Sequence, residues 1–508
     1  IMEELAVDII DLIYTGFPSF FLALMGIGCM VIVIVFVLDV AQTKSAIRRN
    51  YPVIGRFRAL FEHLGTFFRQ YFFAMDREEM PFNRALREWV YRAAKNIDST
   101  IPFGSTRDAS PAGSISFVNC PYPTLDVDAA PTQSLFIGAD CRMPFEATSV
   151  FNISGMSYGA ISKVAVQALS HGAAKAKCWL NTGEGGLSSY HLEGGCDIVV
   201  QIGTAKYGVR DQEGQLSDHH LDRLAAIPQV RMFEIKLSQG AKPGKGGILP
   251  AVKVTPEIAL IRGIKEGVDS ISPNRHEDIN SPAALLDMVA HIRERTGKPV
   301  GFKLVIGGCN VLDHLFDEIK RRGDASAPDF ITLDGSDGGS GAAPQPLMDF
   351  MGLPLKESLP MLMDHLIAYG LRDRVRVICS GKLITPSGVA WALCMGADFV
   401  VSARGFMLAL GCIQAMQCHK NSCPTGITTH QKRLQRGLDP KDKAVRVQHY
   451  VTNIIHDIGV IAHSCGVQDP RQLQRKHARV VMPDGRSMGL DIRHPVATEG
   501  YPHGQHKE

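Results

Sequence analysis

The chain has 508 residues, of which 54 are Lys or Arg and 51 are Asp or Glu, so its formal net charge is only +3. With 45% hydrophobic residues and 49 glycines, this composition excludes a disordered chain, a collagen-like fibre and a small disulfide scaffold. A near-neutral charge without a long basic run also disfavours a nucleic-acid surface, so we expect no nucleic-acid partner.

An apolar segment near the start of the chain is long enough to cross a membrane. Residues 16–38 carry no charged side chain, and as a helix they cover the ~30 Å hydrocarbon core of a bilayer. A cleaved signal peptide is the alternative, but acids and no base precede the segment, whereas a signal needs a basic start. Five bases and no acid lie between residues 40 and 60. We therefore predict a single-pass protein of the cell (inner) membrane with its catalytic domain in the cytoplasm.

Beyond residue 145, short apolar runs end in Gly, Ser, Asn or Asp, and helix-length amphipathic stretches follow them. Strands that alternate with helices in this way predict a parallel sheet buried on both faces. The nine runs are one more than a (β/α)8 TIM barrel needs, so one is an extra strand or an excursion from the barrel. An open doubly wound sheet is the alternative architecture. No GxGxxG motif follows the first run and polar residues end nearly every run, which favours the barrel. The runs occupy residues 149–155, 177–183, 197–203, 232–237, 268–273, 299–308, 329–336, 375–381 and 397–405.

The chain therefore divides into four predicted segments. Residues 1–45 hold the transmembrane segment, and residues 46–145 form a helical or irregular juxtamembrane collar. The α/β barrel occupies residues 146–430 and carries a loop with three closely spaced cysteines, and residues 431–508 form a small helical C-terminal extension. In residues 60–100, aromatic and charged side chains at helical spacing fit either a helix at the lipid headgroups or a collar packed on the main domain.

The last two predicted strand ends carry the features of a phosphate site. Ser380 and Gly381 precede one helix, and Ser402 and Arg404 lie at the end of the next strand. Glycine-permitted backbone N–H groups and a base at this position of a barrel predict a phosphorylated cofactor.

Three cysteines lie close together after the last strand: Cys412, Cys418 and Cys423, the last followed by proline. This spacing fits an iron–sulfur cluster better than zinc, which usually takes four ligands in paired spacings. Zinc with His419 as the fourth ligand, and simple buried thiols, stay open at this point.

Several ordered motifs resemble the FMN-binding synthase domain of glutamate synthase, and specifically its short, membrane-tethered stand-alone relatives, over roughly residues 145–470. The resemblance implies FMN at the C-terminal mouth of a (β/α)8 barrel and a [3Fe–4S] cluster held by Cys412, Cys418 and Cys423. The matching motifs are ISGMSYGAIS (153–162), NTGEGG (181–186), EIKLSQGAKPGKGG (234–247), KVTPEIALIRG (253–263), SPNRHEDI (272–279), DGSDGGSGAAP (334–344) and ALGCIQAMQCHKNSCPTG (409–426).

The resemblance also implies which residues contact the flavin. Gln201 corresponds to a residue that hydrogen-bonds the pyrimidine edge, and Lys303 stands where a lysine faces flavin N1, although a solvated rim charge is the alternative. Gly155, Met156 and Ser157 match the segment along the isoalloxazine edge. The predicted cofactor-binding set is completed by Gly338, Gly339, Gly381, Ser402 and Arg404.

A substrate site is implied by the same resemblance. Lys242 and Arg262 match a Lys and an Arg that bind 2-oxoglutarate, where Arg would hold a carboxylate and Lys would polarise the oxo group. Glu184 matches an acid beside this pocket, although it could instead cap the following helix. Lys245 and Ile248 depart from the family pattern of an acid and a glutamine, so a close analogue of 2-oxoglutarate is an alternative substrate.

The implied activity is that of a glutamate synthase-like oxidoreductase acting on CH–NH2 groups, which aminates a 2-oxo acid with electrons from an external donor. The expected partners are a ferredoxin-like protein or a membrane redox partner, and membrane lipid. A dehydrogenase of amino or hydroxy acids and a non-enzymatic redox subunit are the alternatives, but a pure relay would not need the Lys242 and Arg262 pair. We recognise no glutaminase domain and no nicotinamide fingerprint, so we expect nitrogen and electrons to come from solution or from partners.

Overall fold

The computed structural model describes residues 17–42 and 45–498. It divides the chain into two units, with the boundary between Arg84 and Ala85. The described residues form seventeen α-helices, numbered in chain order: α1 Phe17–Ala41, α2 Ala46–Asn50, α3 Ile54–Phe68, α4 Arg84–Ala94, α5 Lys163–Ala176, α6 Ser189–Leu192, α7 Asp218–Ala225, α8 Pro256–Arg262, α9 Pro282–Thr296, α10 Asn310–Arg322, α11 Gln345–Phe350, α12 Leu355–Ala368, α13 Pro386–Cys394, α14 Arg404–Ala409, α15 Lys432–Gln435, α16 Pro440–Ser464 and α17 Leu490–Arg493.

The first unit is built from helices α1 to α3. Helix α1 is long and apolar enough to cross a membrane, and nearly all of its side chains are exposed. Asp39, near its end, is instead buried, because its carboxylate pairs with Arg56 on α3 (Nη2 to Oδ1, 2.8 Å) and accepts the Val53 N–H at 3.0 Å. These bonds fix the turn between α1 and α3.

The second unit contains a closed barrel of eight parallel strands, which confirms the predicted fold class. The barrel consists of β4 to β7 and β10 to β13, and the pairing of β13 with β4 closes it. The described strands, in chain order, are β1 Ile115–Phe117, β2 Leu135–Ile137, β3 Phe145–Ala147, β4 Phe151–Ile153, β5 Leu180–Asn181, β6 Ile198–Ile202, β7 Val230–Lys236, β8 Ile248–Leu249, β9 Ser270–Ile271, β10 Val300–Leu304, β11 Phe330–Asp334, β12 Arg376–Ser380, β13 Phe399–Ser402, β14 Ala478–Val481 and β15 Ser487–Gly489.

Eight of the nine predicted runs are the eight barrel strands, and the ninth is the extra one. The run at 268–273 contains β9, which pairs antiparallel with β8 in a separate two-stranded sheet. Strand β8 begins at Ile248, in the segment between β7 and α8 that also contains Lys242. The pairing of β8 with β9 therefore fixes the end of this segment.

The two ends of the barrel differ in polarity. At the N-terminal end, the β2–β3 hairpin packs against apolar side chains inside the barrel, among them Trp179, Phe330 and Phe399, and closes that end. At the C-terminal end, polar side chains follow or end almost every strand. The polar end is the one where active sites of this fold lie.

Helix α16 packs against α5 on the outside of the barrel. Its Tyr450 is fully buried and makes edge contacts with Phe151 and Phe406, whose ring centroids lie 5.5 and 5.3 Å away. The region beyond residue 431 thus supplies an outer helix of the barrel. It also supplies β14 and β15, which form a small sheet with β1.

Candidate active site

A cavity opens at the C-terminal end of the barrel. Eight of the ten predicted cofactor-binding residues line it: Gly155, Gln201, Lys303, Gly338, Gly339, Gly381, Ser402 and Arg404. Met156 and Ser157 are not among its lining residues.

Glu234 on β7 organises the polar side chains at the base of this cavity. Its carboxylate accepts hydrogen bonds from the amides of Asn181 (2.8 Å) and Gln201 (2.6 Å) and from the Thr332 hydroxyl (2.5 Å). Because Gln201 donates through Nε2, its Oε1 is the atom left to accept a hydrogen bond from a ligand N–H. The pyrimidine edge of a flavin presents such an N–H, so this arrangement fits FMN.

Lys303 is buried and forms an ion pair with Asp334 at 3.1 Å. Burial alone would lower the pKa of Lys303, but the carboxylates of Asp334 and Glu234 raise it above its usual value. Asp334 also accepts the Gly240 N–H at 2.9 Å. Lys303 therefore stays protonated beside the cavity in its ion pair with Asp334, and a cation there suits a cofactor that becomes negative on reduction.

Glycines leave the space that the cavity needs. A Cβ atom on Gly155 would lie 2.8 Å from Asn181 Oδ1, and one on Gly339 would lie 2.7 Å from Arg404 Nε. Arg404 begins α14 and its Nη2 donates to the Asp337 carbonyl at 2.9 Å. A guanidinium at a helix start, with glycine backbone close to it, fits the phosphate of FMN.

A second cluster of charged groups adjoins the cavity. Lys236, which lines the cavity, pairs with Glu184 at 3.0 Å. Burial would raise the pKa of Glu184, but the cations of Lys236, Lys242 and Arg262 lower it below its usual value. The structure thus brings all three predicted catalytic residues within electrostatic range of one another. Sequence reasoning missed Lys236.

Lys242 is buried in the loop after β7, with its ammonium 3.2 Å from the Ala342 carbonyl. Burial lowers its pKa to about 8, the nearby charges of Lys236 and Lys245 act in the same direction, and Glu184 opposes them. Only one of its three N–H donors is used by the contact with Ala342. The other two are available to a ligand oxygen.

Arg262 occupies the last turn of α8, a helix defined by its sequence at both ends. Thr255 caps its start, Pro256 follows at the first turn, and Gly263 ends it in a left-handed conformation (φ 63°). The guanidinium is buried and donates to Ser270 Oγ and the Tyr158 carbonyl, whereas its Nε is buried without a partner. A buried, unpaired N–H is costly, so this atom fits a site that takes an anionic ligand.

The three predicted cluster ligands lie in a loop with an unusual backbone. Gln414, Met416 and Asn421 all adopt left-handed conformations, with φ between 55° and 58°. Non-glycine residues in this region cost about 1–3 kcal/mol each and persist where the surroundings enforce them, often at functional sites. Cys412 and Cys418 are partly buried and Cys423 is buried.

Hydrogen-bond donors lie beside two of these sulfurs. The Gln414 N–H donates to Cys412 Sγ at 3.4 Å, and Cys423 Sγ lies 3.3 Å from Thr425 Oγ1. Burial raises the pKa of Cys412 to about 12 and also raises the pKa of Cys418 above its usual value. Burial opposes ionisation of Cys423 as well, but the Thr425 and Thr428 hydroxyls lower the pKa of that thiol below its usual value. Three neighbouring thiols are the soft ligands that iron prefers, so this residue set fits an iron–sulfur group. In the described part of the chain, no three His, Cys, Asp or Glu residues are placed to hold a metal ion, so the cluster stays a prediction.

The family model described as a conserved region in glutamate synthase matches residues 117–468. The glutamate synthase large subunit-like protein YerD of Bacillus subtilis is 37% identical over 93% of this chain and 97% of its own length. An archaeal glutamate synthase [NADPH] of Methanocaldococcus jannaschii is 33% identical over 67% of this chain, but the match spans only 62% of that relative. The ferredoxin-dependent glutamate synthase of Cyanidium caldarium is 31% identical over 77% of this chain and 25% of its own length.

These matches establish the family: the chain belongs to the glutamate synthase family. It is a glutamate synthase-like oxidoreductase of the class that acts on CH–NH2 groups. Among solved structures, the flavin-binding domain of baker's yeast flavocytochrome b2 covers 85% of this chain and 88% of that domain, at 14% identity and a TM-score of 0.44. This likeness is too low to support any argument about the site.

Proposed function

We propose that the protein reductively aminates a 2-oxo acid, 2-oxoglutarate or a close analogue, at an FMN site supplied with electrons through an iron–sulfur cluster. The overall reaction is 2-oxo acid plus ammonia plus two electrons and two protons, giving the 2-amino acid and water. Electrons come from an external donor. The names of the relatives support either a ferredoxin-like protein or NADPH in that role.

The observation that supports this proposal most strongly is the position of Lys236. It lines the cavity that fits FMN, and it also pairs with Glu184 in the cluster that contains Lys242 and Arg262. The cofactor cavity and the cationic cluster are therefore adjacent. A dicarboxylate bound to the cations would lie next to the flavin, as a hydride transfer requires.

Each residue of the cluster has a distinct role. Arg262 holds a carboxylate of the substrate, because its guanidinium is fixed by Ser270 and its Nε lacks a partner. Lys242 polarises the oxo group and later the imine, since its ammonium stabilises negative charge at the reacting centre. Glu184 stays ionised and offsets the repulsion between the neighbouring cations, since it pairs with Lys236 and lies within electrostatic range of Lys242 and Arg262. FMN, when bound, supplies the hydride.

Lys303 and Gln201 bind and orient the cofactor. Lys303 retains its proton at neutral pH, because Asp334 and Glu234 raise its pKa. Gln201 is held by Glu234, which leaves its amide oxygen directed to a ligand donor. Cys412, Cys418 and Cys423 would hold the [3Fe–4S] cluster, which would supply one-electron transfer between the external donor and the flavin.

The test uses the purified, full-length protein under anaerobic conditions. The flavin is reduced with dithionite, 2-oxoglutarate and 15N-ammonium are added, and flavin reoxidation and 15N-glutamate are measured together. We expect stoichiometric glutamate, little reaction without ammonium, and loss of reaction in Lys242→Met. Reduced ferredoxin and NADPH are then compared as donors. Flavin that is reoxidised by no 2-oxo acid, but reduced by an amino or hydroxy acid, would contradict the proposed direction.

We also propose that α1 anchors the protein in the membrane. Its exposed apolar surface supports this, as do the exposed Phe57, Leu60 and Phe61 on α3, which suit the headgroup region. The Asp39–Arg56 ion pair would keep α3 at a fixed angle to the anchor.

Carbonate washing of membranes tests this anchor. We expect the full-length protein to stay in the pellet, a C-terminal reporter to be cytoplasmic, and a variant without residues 1–84, the first unit, to be soluble with its flavin. N-terminal sequencing that finds the apolar segment removed from the mature protein would instead indicate a signal peptide.

A further inference from the structure

Lys253 lies next to the loop that carries the three predicted cluster ligands (residues 412–423, the cysteine loop). Its side chain is deeply buried, with 2% of its surface exposed. It lies at the end of the short turn Ala251–Lys253 that follows β8. Its ammonium donates to two backbone carbonyls, that of Cys418 at 2.8 Å and that of Ala160 at 3.1 Å. It therefore joins the cysteine loop to the segment that follows the first barrel strand, in which the flavin-edge residues lie.

No carboxylate lies within ion-pair distance of Lys253 in residues 17–42 and 45–498. An ammonium taken out of water without a counter-ion is strongly disfavoured. The titratable groups within electrostatic range of Lys253 are Cys418, Cys423 and His430, and thiolates at the two cysteines would favour its charged form. His430 is itself bonded to the Gly159 carbonyl at 2.8 Å. Among the described residues, the groups that could supply a compensating negative charge to Lys253 are thus two predicted cluster ligands.

We propose that Lys253 is the counter-ion of the iron–sulfur cluster and positions the cysteine loop against the flavin-edge segment. This inference rests on the proposed function, because it requires the cluster to be present. Three thiolates and the bridging sulfides give such a cluster a net negative charge, and reduction by one electron adds another negative charge. A fixed ammonium beside it therefore stabilises the reduced form more than the oxidised form. Lys253 would favour acceptance of electrons from a donor.

The hydrogen bond from Lys253 to the Ala160 carbonyl links the cysteine loop to the flavin site. Ala160 lies five residues after Gly155, which lines the cofactor cavity. Asn421 reinforces the same junction, since its side chain donates to the Val252 carbonyl at 3.3 Å and accepts the His430 N–H at 2.7 Å. These bonds hold the cysteine loop at a fixed distance from the flavin site, which electron transfer between two cofactors requires.

The test compares Lys253→Met, which keeps the length of the side chain but not its charge, with Lys253→Gln, which also keeps N–H donors. Lys298→Met is the matched control. Lys298 is another buried lysine that donates to backbone carbonyls, those of Ile227 and Val230, and it precedes β10 at the opposite end of the barrel. Iron, acid-labile sulfide and flavin are measured per chain. The midpoint potential of the cluster is measured by a redox titration followed by electron paramagnetic resonance.

We expect both Lys253 variants to keep FMN and to shift the reduction equilibrium of the cluster about tenfold towards the oxidised form, a fall of about 59 mV. Loss of iron from both variants with FMN retained would also support the proposal, provided that Lys298→Met keeps its iron. An unchanged potential in variants that retain the cluster would overturn it. So would loss of FMN and iron together in all three variants, because Lys253 would then act only in folding. Absence of iron and sulfide from the wild-type protein would refute the proposed cluster itself.

Discussion

The buried ammonium of Lys242 predicts how substrate binding depends on pH. Burial lowers the pKa of this lysine from 10.5 to about 8, and Lys236, Lys245 and Glu184 are the charged groups around it. Because the pKa is lowered, the positive charge is nearly complete below pH 7 and is lost as the pH rises through 8 to 9. Binding of a 2-oxo dicarboxylate should weaken over the same interval.

The size of the effect follows from the protonated fraction. A group with a pKa of about 8 is about 90% protonated at pH 7 and about 10% protonated at pH 9, so the Kd should rise about tenfold between them. Removing the charge permanently in Lys242→Met should cost one charge-assisted hydrogen bond, about 1.5–3 kcal/mol, or roughly 10- to 150-fold in Kd at pH 7. The variant should show no further change up to pH 9.

The assay is titration of the oxidised holoenzyme with 2-oxoglutarate, followed through the flavin absorbance. Ammonia is omitted, so its own titration does not enter the result. Lys245→Met is the matched control: it removes an exposed lysine from the same loop, and we expect the pH dependence to persist. A Kd that stays constant from pH 7 to 9 in the wild type, or that still rises tenfold in Lys242→Met, would refute the assigned role.

Three further substitutions test the substrate site, the flavin site and the cluster site separately. Arg262→Lys keeps a positive charge but loses the planar fork, so the Kd of 2-oxoglutarate should rise about tenfold while flavin content is unchanged; equal affinity would remove Arg262 from the site. Gly155→Ala adds a methyl group 2.8 Å from the nearest side-chain oxygen and should reduce bound FMN, measured by fluorescence after release, whereas Gly307→Ala, with open space around it, should not. Cys418→Ser should lose iron and acid-labile sulfide, because an alcohol binds soft iron poorly. The buried Cys196→Ser should keep both, and iron retained in Cys418→Ser would contradict the assigned ligand.

The barrel could be predicted from the sequence because its strands are short, apolar and regularly followed by helices. A parallel strand buried on both faces is apolar along most of its length. Such a run can be recognised in the sequence without knowing which strands pair with it. The motifs that carry the family resemblance also gave Lys242, Arg262 and Glu184, and the structure brings these three together. The length and apolarity of residues 16–38 likewise required no tertiary information.

Which of the nine runs lies outside the barrel was decided only by the tertiary structure. The run at 268–273 is more polar than its neighbours, but polarity alone does not exclude a strand from a barrel. Its strand β9 finds an antiparallel partner in β8 within the same excursion. Strand pairing depends on a segment distant in the sequence, and periodicity carries no information about it.

The charge pairs of the site are the other feature that the tertiary structure alone decided. Glu234 and Lys236 alternate at the end of β7, and polar residues in an otherwise buried strand were the signal that could have revealed them. Their partners lie on other strands and loops: Gln201 on β6, and Glu184 in the loop after β5. The sequence determines which charged residues are present. Only the closed barrel determines which of them share a low-dielectric site, because their separation in space is set by strands far apart in the chain.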